Sequence, residues 1–217
     1  MTEQSPNVTD AVSPDAHEQK IAKFKKEQAE KYLLQMERHL KRISSLHLYG
    51  SNVEEVNEYK TDSYFSSWFK DAENGDIHAM HSILDHFEPL QIITNMGHNY
   101  RSRFANNSAE IILDFRPGTL IPNKSYSLED AKLKIKLLEE DEKEQVIKSY
   151  LYSTILRIAK ELMLFFPLQK ISFSVNCKTL KMRARTFQIT KSQVSDFADH
   201  AINEKLLPFF EDKILVN

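Results

Sequence analysis

Residues Glu18 to His47 contain neither proline nor glycine, and their apolar side chains recur mostly at three- and four-residue steps. Ile21, Phe24, Tyr32, Met36, Leu40, Ile43 and Leu46 fall on one stripe of a helix. The opposite face carries Lys20, Lys23, Lys25, Lys26, Lys31, Arg38, Lys41 and Arg42 against four glutamates. The spacing predicts an amphipathic helix over 18–48 of about eight turns at roughly 3.6 residues per turn. A helix of that length is too long to be hidden inside a small domain, so it lies along the body or pairs with another chain. Gln28 interrupts the stripe. The helix is therefore read as amphipathic first and as a coiled coil second. Ile21, Phe24, Tyr32, Met36, Leu40 and Ile43 are the expected partner-binding residues.

The flanks set the domain organisation. Residues 1–17 are polar, hold Pro6 and Pro14, and have nothing to bury, so a disordered tail is expected. Without an apolar run they do not read as a signal peptide. Gly50 and Ser51-Asn52 close the long helix. Shorter helical patterns fill 53–107, where Tyr64, Phe65, Trp68 and Phe69 crowd into six residues and Asp76 is placed to cap a helix ending before Pro89.

From Ala109 the period changes to two. Ala109, Ile111, Leu113 and Phe115 alternate with Glu110, Ile112, Asp114 and Arg116, which reads as a strand ended by Pro117-Gly118. Tyr126 to Leu128 and Lys132 to Leu138 read as two more. Glu139 to Glu142 suit the first turn of a helix, where carboxylates complement the dipole. That helix reaches about Phe166 and is apolar around most of its circumference, so it is the expected central buried helix. Lys170 to Lys178 and Thr186 to Thr190 read as a strand pair, and Ser192 to Leu207 as a last helix. The fold class is thus α+β: a helical N-terminal half, then a mainly antiparallel sheet (βββ-α-ββ-α) packed on a buried helix, with 108–217 as the α+β domain.

Composition removes whole classes of chemistry. The single cysteine, Cys177, excludes an internal disulfide and any cysteine-rich zinc site. Four dispersed glycines exclude the phosphate-binding and nucleophile-elbow motifs. A net charge of −2 provides no global attraction to nucleic acid or membrane. No apolar run approaches the roughly 20 residues of a membrane span.

Three local patterns bear on chemistry. No acidic residue lies between Glu161 and Asp196, a stretch holding Lys170, Lys178, Lys181, Arg183, Arg185 and Lys191. These are candidate contacts for nucleic acid or another anion, against the plainer reading of solvated strand faces and a lysine-protected edge. Asp114, followed by Asp130-Ala131-Lys132 or Asp141-Glu142-Lys143, offers the acid and acid-x-Lys types with which a nuclease holds Mg²⁺ and polarises water. Asp114, Asp130 and Lys132 are the catalytic candidates. His78, His81 and Asp85 share a helix face and are candidate Zn²⁺ ligands. With no cofactor motif, the leading expectation is a non-enzymatic cytoplasmic interaction or assembly protein. It binds a protein partner or a second copy of itself through the long helix and the α+β module, without a membrane. The alternative is a nucleic-acid-binding protein, up to a Mg²⁺-dependent nuclease, that uses the 170–191 stretch.

Overall fold

The computed structural model describes residues 14–130, 132–179, 182–197, 207 and 215–216. The chain divides into two compact units. The first takes residues up to Arg38 together with Lys124–Leu137, and the second takes His39–Asn123 and Leu138–Asn217.

The first unit is one long helix and one hairpin. Helix α1 runs Pro14–Ser44, its residues from His39 on belonging to the second unit. It starts four residues earlier than the sequence predicts, inside the expected tail, whose residues 1–13 lie outside the described residues. Strands β3 (Lys124–Glu129) and β4 (Lys132–Leu137) pair antiparallel, with Asp130 at φ 50° in the turn, a conformation that Asp tolerates better than most residues. The register opposes Tyr126 to Ile135, Leu128 to Leu133 and Lys124 to Leu137. One face of the hairpin is therefore apolar, and the other holds Ser125, Ser127, Glu129, Lys132, Lys134 and Lys136. Lys134 pairs with Glu129 on that polar face. The Tyr32 and Tyr126 rings lie 5.5 Å apart, which sets α1 against the apolar face. Such cover is what a two-stranded hairpin needs, because alone it is marginal in water.

The second unit is the α+β body. Helices α2 (Val53–Thr61), α3 (Ser66–Glu73), α4 (Ile77–Phe87) and α5 (Gln91–Asn95) precede strands β1 (Asn99–Ala105) and β2 (Ser108–Asp114). Asn52 caps α2 through the Glu54 N–H at 2.9 Å, and Asp76 caps α4 through His78 at 2.8 Å. The central helix α6 spans Glu140–Phe165 and opens on Glu142, whose carboxylate accepts from the Glu139 N–H at 3.0 Å. Strands β5 (Lys170–Cys177) and β6 (Met182–Thr190), helix α7 (Lys191–Phe197) and the short β7 (Leu215–Val216) complete the body. The sheet order is β1-β2-β5-β6-β7. All neighbours are antiparallel except β2 and β5, which run parallel with α6 in the connection between them.

Burial follows the pleat. On β5, Ile171, Phe173, Val175 and Cys177 have no exposed surface, while Ser172, Ser174 and Asn176 point away. Tyr150 and Tyr152 of α6 meet Phe115 and Phe187 of the sheet side at ring distances of 5.0 and 5.7 Å. Leu151, Ile155, Ile158, Ala159 and Leu162 are fully buried around the same helix.

Three points differ from the sequence expectation. Asn99–Ala105, at the end of the expected helical region 53–107, is a strand. Four strands precede α6 instead of three, and β3 and β4 form their own sheet. Of the expected last helix, Lys191–Phe197 is described, while 198–206 lies outside the described residues.

Candidate functional site

The first unit exposes its apolar groups. Between α1 and the hairpin lies a groove of about 770 Å³, lined by Ile21, Ala22, Phe24, Gln28, Ala29 and Tyr32 of the helix and by Leu133 of β4, with Glu18, Lys25, Asp130 and Lys132 among its charged walls. Ala29 is buried, yet Phe24 is 60% exposed and Tyr32 53%. At the far end of the hairpin's apolar face Ile135 and Leu137 stand 56% and 68% exposed. A helix that presents Phe24 and Tyr32 to water above a half-covered apolar hairpin has contact area to offer a partner.

The six partner-binding residues expected on the long helix therefore separate. Ile21, Phe24 and Tyr32 face the groove, and Met36 is half-buried. Leu40 and Ile43 are a correction: Ile43 is 3% exposed and both pack into the core of the second unit, so neither is available to a partner. The stripe runs on past Gln28 to Leu46, but its C-terminal turns are consumed by the protein's own core.

The described side chains of the basic stretch do not gather into one surface. Lys170 opens β5 opposite Thr190, with Lys191 next in chain, at one end of the sheet. Lys178 and Arg185, the latter opposite Val175, lie toward the other end. Eight residues of strand separate Lys170 from Lys178, about 26 Å at ~3.3 Å per residue. Lys181 and the Arg183 side chain lie outside the described residues. Strand β1 adds Arg101 and Arg103 to the open face of the sheet, where Arg103 lies 4.0 Å from Glu110 and Arg116 pairs with Asp114. Among the described residues no aromatic ring stands on that face, so the stacking platforms of sheet-face RNA binders are not built there.

The nuclease candidates fall on separate elements. Asp114 ends β2 and accepts from Arg116 Nε at 2.9 Å. Its neighbouring strands are β1 and β5, whereas Asp130 and Lys132 belong to the separate hairpin and Asp141-Glu142-Lys143 to the first turn of α6. The zinc candidates also disperse. His81 sets its ring edge-on to Phe104 at 5.2 Å, and His78 and Asp85 are exposed. No group of three or more His, Cys, Asp or Glu side chains is placed to hold a metal among the described residues. Phe65, Trp68 and Phe69 pack with Phe87 and His86, while Tyr64, set edge-on to Phe65, is mostly exposed.

The second unit holds a polar feature that the sequence reading missed. Tyr150, Thr154, Arg157 and Glu161 follow at steps of four, three and four along α6, so they share one face of an otherwise apolar helix. At the top of that face His98, fully buried, bridges two elements. The Arg116 N–H donates to its Nδ1 at 3.0 Å, so the ring proton sits on Nε2 and is donated to Tyr150 Oη at 2.7 Å. The ring also stacks on Phe115 at 4.6 Å. Burial pushes the His98 imidazole down to about 4, with Arg116 adding to the shift and Asp114 opposing it. Burial likewise raises the Tyr150 phenol. Lower on the face Arg157 Nη2 meets Glu161 Oε1 at 3.0 Å, and the Ser51 N–H donates to the same oxygen at 2.7 Å. A Cβ on Gly50 would stand 2.9 Å from that oxygen, which is why the loop after α1 carries glycine there. Ser153 holds the His47 ring nitrogen at 3.0 Å. These groups are enclosed, and they tie the 45–52 and 98–116 segments to α6.

No protein-family model, no curated protein and no solved structure matches this chain. The functional reading therefore rests on the geometry alone. Among the described residues no helix is long and apolar enough to cross a membrane.

Proposed function

We propose that this is a non-enzymatic interaction or assembly protein, with the α1–hairpin groove as its contact surface. One observation carries the reading. Of eleven large apolar side chains that are exposed among the described residues, six belong to the small first unit: Ile21, Phe24, Tyr32, Leu34, Ile135 and Leu137. Three of them, Ile21, Phe24 and Tyr32, line the groove, and exposed apolar surface of that kind is the ordinary mark of a docking site. In the same reading Leu40 and Ile43 serve the core of the second unit, and Ile21, Phe24 and Tyr32 serve the partner. The proposed setting is cytoplasmic, where the buried Cys177 thiol stays reduced.

Site-directed photocrosslinking in the native cell tests this. A photoreactive phenylalanine analogue at position 24 is expected to give a discrete protein adduct, identified by mass spectrometry. The same group at exposed position 191 should not. The adduct should disappear in Ile21→Glu. Equal crosslinking from both positions, or none from position 24, would refute the proposed surface.

A further inference from the structure

We infer that the groove takes an acidic amphipathic helix from a protein partner. The inference rests on the proposed docking function and names the chemistry of the partner. Shape comes first. One wall is a helix and the other the turn end of a hairpin, where Leu133 is the apolar contact, and the lining from Glu18 to Tyr32 extends along about 21 Å of α1 at ~1.5 Å per residue. A partner helix of about four turns matches that length and lays a stripe of i, i+3, i+4 and i+7 side chains between Phe24 and Leu133.

Charge then selects the sign. Residues 18–38 and 124–137 carry ten lysines and arginines against six carboxylates, within a chain whose net charge is −2. In the groove wall itself Lys25 and Lys132 are balanced by Glu18 and Asp130, so the positive excess lies in the surrounding frame of the unit. Apolar contact in a lysine-rich frame favours a partner whose polar face is Glu- and Asp-rich, and steers its approach. Two acidic or amphipathic segments of the described residues do not serve a second copy in this way. The open stripe of α1 comes with the same lysine-rich face as the groove. The acidic first turn of α6 leads straight into Ile147 and Tyr150, which are buried in the body. An anionic bilayer would meet the lysines, but its surface does not fill a concave slot between a helix and a hairpin.

The test uses the full chain and two fluorescein-labelled 18-residue model helices. Both have leucine at i, i+3, i+4 and i+7; one has glutamate and the other lysine at the remaining positions. Fluorescence anisotropy is expected to give saturable binding of the glutamate helix, with the lysine helix and a scrambled glutamate peptide each at least about tenfold weaker. Phe24→Glu should weaken binding at least about tenfold while leaving the melting temperature in place, since that side chain is mostly in water already. Equal binding of the three peptides, no saturable binding, or indifference to Phe24→Glu overturns the inference. So does Phe24-dependent flotation with phosphatidylserine vesicles, which would make the occupant a membrane. A Phe24-dependent dimer in light scattering would make it a second copy. A position-24 crosslink to a partner without an acidic helix would keep the docking function and remove only the inferred chemistry.

Discussion

Replacing Arg157 by methionine is expected to lower the unfolding free energy by about 3–5 kcal/mol, the usual cost of stranding one member of a buried ion pair. Glu161→Leu should cost a comparable amount. Arg157 is 8% exposed and Glu161 not at all, and the pair is only partly satisfied: among the described residues Arg157 Nε and Nη1 and Glu161 Oε2 have no hydrogen-bond partner. Burial lowers the Arg157 guanidinium pKa, with Glu161 opposing that shift. Each single replacement leaves the other charge in the interior with less to hold it. The double variant removes both desolvation costs together and retains the volume. It should therefore be at least ~2 kcal/mol more stable than the sum of the two single losses, a coupling of the size seen for contacting residues. Urea unfolding of the four proteins reads the cycle. Strictly additive losses would show that the two side chains do not act as a pair.

Stability should also fall by about 3 kcal/mol through His98 alone as pH drops from about 6.5 to 4. The folded imidazole titrates near 4 and an unfolded one near 6.5, so between those values the unfolded chain binds the extra proton. Lowering the pH therefore favours unfolding. The effect is absent above about 6.5, grows through the window, and is complete below 4. At ~1.36 kcal/mol per unit, a displacement of about 2.5 units gives the magnitude. His98→Gln isolates it. A glutamine amide can accept from the Arg116 N–H and donate to Tyr150, but it does not titrate. The difference between wild-type and variant unfolding free energies, measured across pH 7 to 4, should be flat at the high end and then change by about 3 kcal/mol. The other seven histidines contribute to both proteins and cancel. Parallel curves would mean that His98 is not held neutral.

Where two periods compete, the sequence reading is weakest. Tyr100 and Phe104 are four residues apart, which fits a helix as well as the alternation Tyr100, Ser102, Phe104 that β1 adopts. Only the pairing with β2, opposing Phe104 to Ala109 and Tyr100 to Leu113, decides between them. The clear cases came through because both faces agreed: Ile171, Phe173, Val175 and Cys177 alternate with polar residues, and α6 is apolar nearly all round. Its polar face went unseen because Arg157 and Glu161 look like an exposed i, i+4 pair until the 45–52 segment closes over them. That requires contacts more than a hundred residues apart, such as Ser51 to Glu161.

The candidate site was partly readable for the same reason. Period alone identifies Ile21, Phe24 and Tyr32 as one stripe with Leu40 and Ile43. It does not say where along that stripe the protein's own core ends and open surface begins. The hairpin's place opposite the helix was also out of reach, since nothing in Lys132 to Leu137 distinguishes a strand of the main sheet from a strand of a separate one. The basic stretch shows the converse. Of six cations close in sequence, the four whose side chains are described, Lys170, Lys178, Arg185 and Lys191, become two groups at opposite ends of a strand pair, because a β-strand spreads neighbours apart by about 3.3 Å each.

The most direct test of the central claim is hydroxyl-radical footprinting of Phe24 and Tyr32, first in the purified protein and then inside the native cell. Tyr64, 71% exposed in the second unit, serves as the internal reference. Phe24 and Tyr32 should react readily in the purified chain and become selectively protected in the cell, while Tyr64 stays unchanged. If Phe24 and Tyr32 are already protected in the purified protein, or react equally in both settings, the groove is not where this protein meets its partner.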